Sequence, residues 1–191
     1  MATVTVRNGI DVGALLETIE AIKAKPELAN FTFRASTTWQ DGMHSNAQIG
    51  SFLHAGSEDE TREQPFALVG DEPPVLLGQN KGPNAVELLL AALGFCYSVG
   101  YVANAAARGI EIEEMSYEIE GDIDLRNFLG ISDEARPGFG EIRAKATVRA
   151  PGANEQELKE LCTYVQDTSP VKDVLANPVP VKTTIEVVET P

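Results

Sequence analysis

The run from Leu88 to Ala107 constrains this chain more than any other stretch: it is 20 residues long and holds no Asp, Glu, Lys or Arg. That is enough residues for a helix to cross a bilayer. The run is nevertheless broken by Gly94, Ser98, Gly100 and Asn104, is rich in alanine, and has no cationic cluster beside it. A segment apolar on all sides is then expected to be the centre of a protein core. Asn84 with Glu87 three residues on has the form of a capping box, and Arg108-Gly109 the form of a helix stop. The sequence thus predicts one long buried helix over 85–107.

The remaining pattern predicts short helices and strands around it. Val12, Leu15, Leu16, Ile19 and Ile22 recur at helical spacing ahead of Pro26, placing a helix over 11–25. Phe31, Phe33, Ala35 and Thr37 alternate toward Trp39, Asp41-Gly42 signals a hairpin, and a second strand follows through Ile49 and Phe52. The charged stretch 55–64 reads as a surface loop, and Phe66–Val69 as a short strand. Met115, Tyr117, Ile119 and Ile123 alternate with acidic residues, and Ile142, Ala144, Ala146 and Val148 mark another strand. Asn154 and Glu157 cap a helix over 155–167 that carries Leu158, Leu161, Cys162 and Val165. Ser169-Pro170 opens a shorter helical turn, and Val181, Thr183, Ile185 and Val187 predict a final strand. Strands and helices do not alternate regularly, so the expected class is α+β. The expected organisation is one domain over 1–191, with residues 1–30 as a helical extension at the N-terminal side.

Charge narrows the partners. Fifteen Lys and Arg face 29 Asp and Glu, a formal net charge of -14. Such a surface repels phosphate backbones and anionic lipid, so neither nucleic acid nor a membrane is an expected partner. The first residues lack the layout of a signal peptide, and two cysteines are too few for a disulfide scaffold. A soluble cytoplasmic protein with reduced thiols is expected. Phosphate-binding glycine loops, a GxSxG elbow and zinc spacings are lacking, so no cofactor and no metal are expected. Glu114, Glu118, Glu120, Asp122 and Asp124 share one strand face, which reads as a solvated surface in preference to a cation site.

Cys96 is the sharpest chemical feature. Its helical neighbours Leu89, Ala92, Leu93, Val99, Gly100 and Ala103 are apolar or small. By composition alone such a thiol is an inert hydrophobe, because burial disfavours the thiolate. The helix N-terminus, twelve residues away at Asn84, is too far to activate it. Reactivity therefore demands a cation brought from elsewhere.

The stretch GPNAVELLLAALGFCYSVGYVANAAARGI resembles the central helix of the OsmC/Ohr family of peroxide-detoxifying thiol proteins, and SPVKDVLANPVPVKTTIEV resembles the family's C-terminal Cys-Pro-Val segment and last strand. The resemblance implies antiparallel sheets packed around the long helix in an intertwined homodimer. It also implies reduction of a small organic hydroperoxide, with Cys96 as the peroxidatic nucleophile and a dithiol reductant restoring it. Three departures stand out. Ser169 occupies the position of the family's resolving cysteine, so an external thiol is expected to resolve the sulfenic acid. The family's activating arginine has no counterpart in TTWQDGMH, leaving Arg34, Arg62 or His44 as substitutes. The family's acid, ten residues before the cysteine, is replaced by Val86; the adjacent Glu87 matches the broader family pattern, but is at least as much the capping-box acid. Cys162 lies on the apolar stripe of its helix and reads as packing. The alternative to an enzyme is a non-peroxidatic relative that binds an apolar small molecule or senses oxidants stoichiometrically.

Overall fold

The computed structural model describes residues 5–188. Strands β1 (Val6–Arg7) and β2 (Ile10–Asp11) pair antiparallel, and α1 (Val12–Ala24) follows with the Asp11 side chain accepting from the Ala14 amide at 3.0 Å. The extension is thus a hairpin plus a helix, not a helix alone. Asn8 and Gly9 make the turn, both at positive φ, which asparagine and glycine tolerate best. The Asn8 side chain clamps the segment after the long helix, donating to the Ile110 carbonyl at 3.0 Å and accepting from the Ile112 amide at 2.8 Å.

Six short strands come next: β3 (Phe31–Thr32), β4 (Ser36–Asp41), β5 (His44–Ile49), β6 (Phe52–His54), β7 (Ser57–Asp59) and β8 (Phe66–Gly70). They form two antiparallel three-stranded sheets, ordered β4-β5-β8 and β3-β6-β7. The strand expected across 31–39 is split in two, and the charged segment 55–64 is not wholly loop. Ala55 and Gly56, both at positive φ, fold β7 back on β6, and Arg34 pairs with Glu58 at 2.9 Å. Ser-Glu-Asp carries little strand propensity, so the tight turn decides the pairing there.

One buried carboxylate organises the turn-rich segment that leads out of β8. Asp71 accepts from the amides of Glu72 at 2.8 Å, Gln79 at 3.1 Å and Lys81 at 3.1 Å. A side chain on Gly78 would overlap the Glu72 backbone, and one on Gly82 the Val69 carbonyl. The backbone amides, that of Lys81 foremost, hold the Asp71 carboxyl below its ordinary range. A depressed folded value means that Asp71 stabilises the fold fully at neutral pH and loses that contribution as pH falls through the depressed value. Asp71→Asn should therefore lower the urea midpoint at pH 7, with the gap to wild type closing as the solution is acidified. A gap that stays constant with pH would contradict this account.

The long helix α2 spans Ala85–Ala107, with Asn84 and Glu87 making the reciprocal capping box at 2.9 Å in each direction. Strands β9 (Glu114–Ile123) and β10 (Phe139–Arg149) form an antiparallel pair, followed by α3 (Glu155–Thr168) and α4 (Pro170–Ala176). Leu93, Tyr97, Tyr101 and Ala105, spaced four apart on α2, pack with Leu161 and Val165 of α3, and Met115, Tyr117 and Ile119 of β9 close over them. Burying a side chain such as Leu161 contributes about 2 kcal/mol.

Two expectations are corrected here. First, α2 is long and apolar enough to cross a membrane, yet only one of its faces is covered. Phe95 is 73% exposed and Val99 71%, while Leu93, Tyr97, Tyr101 and Ala105 form the face packed in the core. Second, residues 178–188 form no strand, and Val181 and Ile185 are 83% and 89% exposed. The alternation is right for a strand, but a strand also needs a neighbouring edge, and among the described residues no edge pairs with it.

Candidate active site

Cys96 is half-buried, and its Sγ lies 3.1 Å from the Ser169 Oγ. The contact follows from the antiparallel register of α2 and α3. Gly100, lacking a side chain, lets Val165 approach, and the Tyr101 hydroxyl donates to the Leu158 carbonyl at 3.0 Å. Continuing that register sets the end of α3 beside Cys96. There Ser169 caps α4, with Pro170 at the first helical position and the Lys172 amide donating to the Ser169 Oγ at 3.1 Å. Ser169 is only 5% exposed.

The other expected residues are elsewhere. Glu87 is nine residues before Cys96, about 13 Å along the helix, and its carboxylate is engaged by the Asn84 amide. Arg62 donates to the Gly50 carbonyl at 2.8 Å, with its guanidinium 5.0 Å from the Phe52 ring centre and 5.3 Å from that of Phe66. His44 contacts Asn46 at 3.2 Å, and Arg34 is occupied by Glu58. Among the described residues the hydrogen-bonding partner of Cys96 is Ser169 alone, and no cation reaches its sulfur. Nor does any group of three or more His, Cys, Asp or Glu among them form a metal-holding cluster. The acidic face of β9 is matched from β10: Arg143 pairs with Glu120 at 2.8 Å, Lys145 with Glu118 at 3.2 Å, and Arg149 with Glu114 at 3.0 Å. The strand face is a solvated, cross-paired surface.

The sequence profile of the OsmC-like protein family matches residues 78–184, more than half of the chain. The chain belongs to the OsmC-like family. Solved structures agree on the fold. The OsmC-like protein of Mycoplasma pneumoniae superposes with a TM-score of 0.58 at 17% identity, covering 77% of this chain and 89% of that one. An organic hydroperoxide resistance protein OsmC from Legionella pneumophila gives 0.52 at 17% identity, over 75% and 88%. An organic hydroperoxide resistance protein from Elizabethkingia anophelis gives 0.54 at 15% identity, over 77% and 89%. No curated protein sequence matches the chain.

In this OsmC-like chain a second feature escaped the sequence reading. A cleft of about 620 Å³ opens beside the core, with Leu89, Leu93, Tyr97, Tyr117, Phe139 and Cys162 in its wall. Cys162 is half-buried, not fully packed, and the Gln166 side-chain amide donates to its sulfur at 3.2 Å. Burial pushes the hydroxyls of Tyr97, Tyr101 and Tyr117 above their ordinary titration range, with Cys162 adding to the effect. These tyrosines stay neutral and act as packing rings with a polar tip. The signal was in the sequence, since Tyr97 and Tyr101 stand one turn apart on the face that also carries Leu93.

Cys162 precedes Ser169 by seven residues, about 10 Å along α3. A disulfide needs Cα atoms within about 7 Å, so the register favours no pairing with Cys96. Cys162→Ala should cost about 1 kcal/mol in urea unfolding and leave the chemistry of Cys96 unchanged. An intramolecular disulfide between Cys96 and Cys162, seen by mass spectrometry after mild oxidation, would refute this.

Proposed function

We propose that this OsmC-like protein serves in peroxide defence, reducing organic hydroperoxides through Cys96, and that it works as a soluble homodimer in the cytoplasm. The observation that carries the reading is the placement of Cys96 against Ser169 at the join of α3 and α4, within a fold shared with organic hydroperoxide resistance proteins. The Cys96 thiolate attacks the distal oxygen of the hydroperoxide. The S–O bond forms as the O–O bond breaks, and the alkoxide leaves with a proton as the alcohol. One thiol of an external dithiol then displaces water from the sulfenic acid. Its second thiol releases Cys96 and closes the reductant's own disulfide. Ser169 cannot perform that resolution, because a hydroxyl forms no disulfide.

A second copy on the exposed face of α2 would fit the same reading. Cys96 lies next in sequence to exposed Phe95, so a copy docked on Phe95 and Val99 would wall the sulfur on its open side. The positive charge that the thiolate calls for would then come across that interface. The test is consumption of cumene hydroperoxide by reduced protein with excess dithiol. Many equivalents consumed per Cys96 is the expected result, and an inert Cys96 in folded protein would end the peroxidase reading. The cleft beside the core, whose wall joins Leu89, Leu93 and Phe139 to the charged Arg136, Glu141 and Lys172, favours a second reading, binding of a small molecule with an apolar body. On that reading the protein binds without consuming peroxide.

A further inference from the structure

We infer that the Ser169 hydroxyl is a hydrogen-bond donor to the Cys96 sulfur when that sulfur is a thiolate, a group that aims the nucleophile and supports its charge from the position where the family resemblance places a second cysteine. The inference rests on the peroxidase reading for its purpose, but not for its geometry. Three observations carry it. Ser169 Oγ lies 3.1 Å from Cys96 Sγ, a close approach for an oxygen and a sulfur. The same oxygen accepts the Lys172 amide at 3.1 Å, which fixes its position and takes up one lone pair. Ser169 is nearly fully buried, so water does not compete freely for the remaining hydrogen.

The proton inventory settles the direction once the sulfur ionises. A hydroxyl has one hydrogen and two lone pairs. The amide of Lys172 can only donate, so it claims a lone pair and leaves the hydrogen free. Among the described residues the only acceptor within reach of that hydrogen is Cys96 Sγ. A neutral thiol permits either atom to donate, whereas a thiolate has no hydrogen and permits only O–H to S⁻. Hydrogen bonding to the charged form favours that form, and it is stronger than bonding between neutral groups. The serine therefore replaces redox partnership with electrostatic support. It also explains why a residue unable to resolve a sulfenic acid is held in contact with the nucleophile.

The experiment follows alkylation of Cys96 by iodoacetamide across pH, read on the Cys96 peptide by mass spectrometry so that Cys162 does not interfere. Ser169→Ala and Ser169→Gly both remove the hydroxyl; glycine keeps most of the cap, so a loss shared by both is not a loss of helix structure. Both variants should shift the profile up by about one pH unit and slow alkylation at neutral pH about tenfold. Ser169→Thr, which restores a hydroxyl, should return most of the rate. If one variant fails to fold, the others carry the comparison. The inference is overturned if the hydroxyl-free variants keep the wild-type profile, or if Thr shifts as far as Ala and Gly. Alkylation needs no peroxide, so the two readings fail separately. An unshifted profile with rapid peroxide turnover sinks the serine alone, and a shifted profile without turnover sinks the peroxidase alone.

Discussion

Cys96→Ser should abolish hydroperoxide consumption, with a fall of about a thousandfold or more against a background set by free dithiol. The size follows from the chemistry. A serine hydroxyl at that position is essentially un-ionised at neutral pH, and oxygen is a poor nucleophile toward a peroxide bond. No second thiol stands ready, since Cys162 is placed well along α3 and bonded by Gln166. Cys96→Ser should fold as wild type, because the side chain is nearly isosteric and half-buried. The assay is peroxide loss with cumene hydroperoxide and a small dithiol, beside a thermal unfolding curve. Wild-type protein should also form a sulfenic acid trappable at Cys96 when the dithiol is withheld. Turnover surviving in Cys96→Ser would move the chemistry to another residue, with Cys162 the first suspect.

How much of this was legible before the structure depends on whether the information is local. The capping boxes at Asn84 and Asn154 are three-residue signals, and both helices begin where those signals place them. The alternation in β9 is likewise local, and its apolar residues face inward from Met115 to Ile123. The β6–β7 hairpin was missed because β7 is Ser-Glu-Asp, and the turn geometry at Ala55 and Gly56 carries the pairing. The final strand was expected from a correct local pattern, but a strand's partner is not written in its own residues. The candidate site divides in the same way. Cys96 and Ser169 were each visible as points in the chain, while their contact depends on the helix register set by Gly100 and Val165. Glu87 was correctly seen as a capping residue, and the structure gives that role its geometry. Arg62 and His44 stay within the N-terminal sheets, so proximity in composition did not become proximity in space.

The second large effect is expected at the bare face of α2. On the homodimer proposed above, Val99→Asp, alone or with Phe95→Asp, should convert the protein to monomers at micromolar concentration. A monomeric soluble protein rarely leaves large apolar groups together in water, yet Phe95 and Val99 stand exposed one turn apart on the most apolar helix of the chain. The sheet residues Trp39 and Phe66 and the tail residues Val181 and Ile185 are exposed as well. An acidic chain gains nothing by displaying these to solvent, and the arrangement makes sense when a second copy covers them. A carboxylate introduced at Val99 would then have to be buried without a partner. That penalty is about 4 kcal/mol, roughly a thousandfold in the dimer constant. Within the single chain Val99 is 71% exposed and lies outside the core cluster, so the monomers should remain folded by circular dichroism. Sedimentation equilibrium reads the outcome directly. A wild-type monomer, or a Val99→Asp dimer of unchanged affinity, would show that this face is not the interface. If the site is completed by the second copy, the same variant should also lose most of its peroxide turnover, even though Cys96 and Ser169 are untouched. Full turnover in a proven monomer would place everything the thiol needs within one chain.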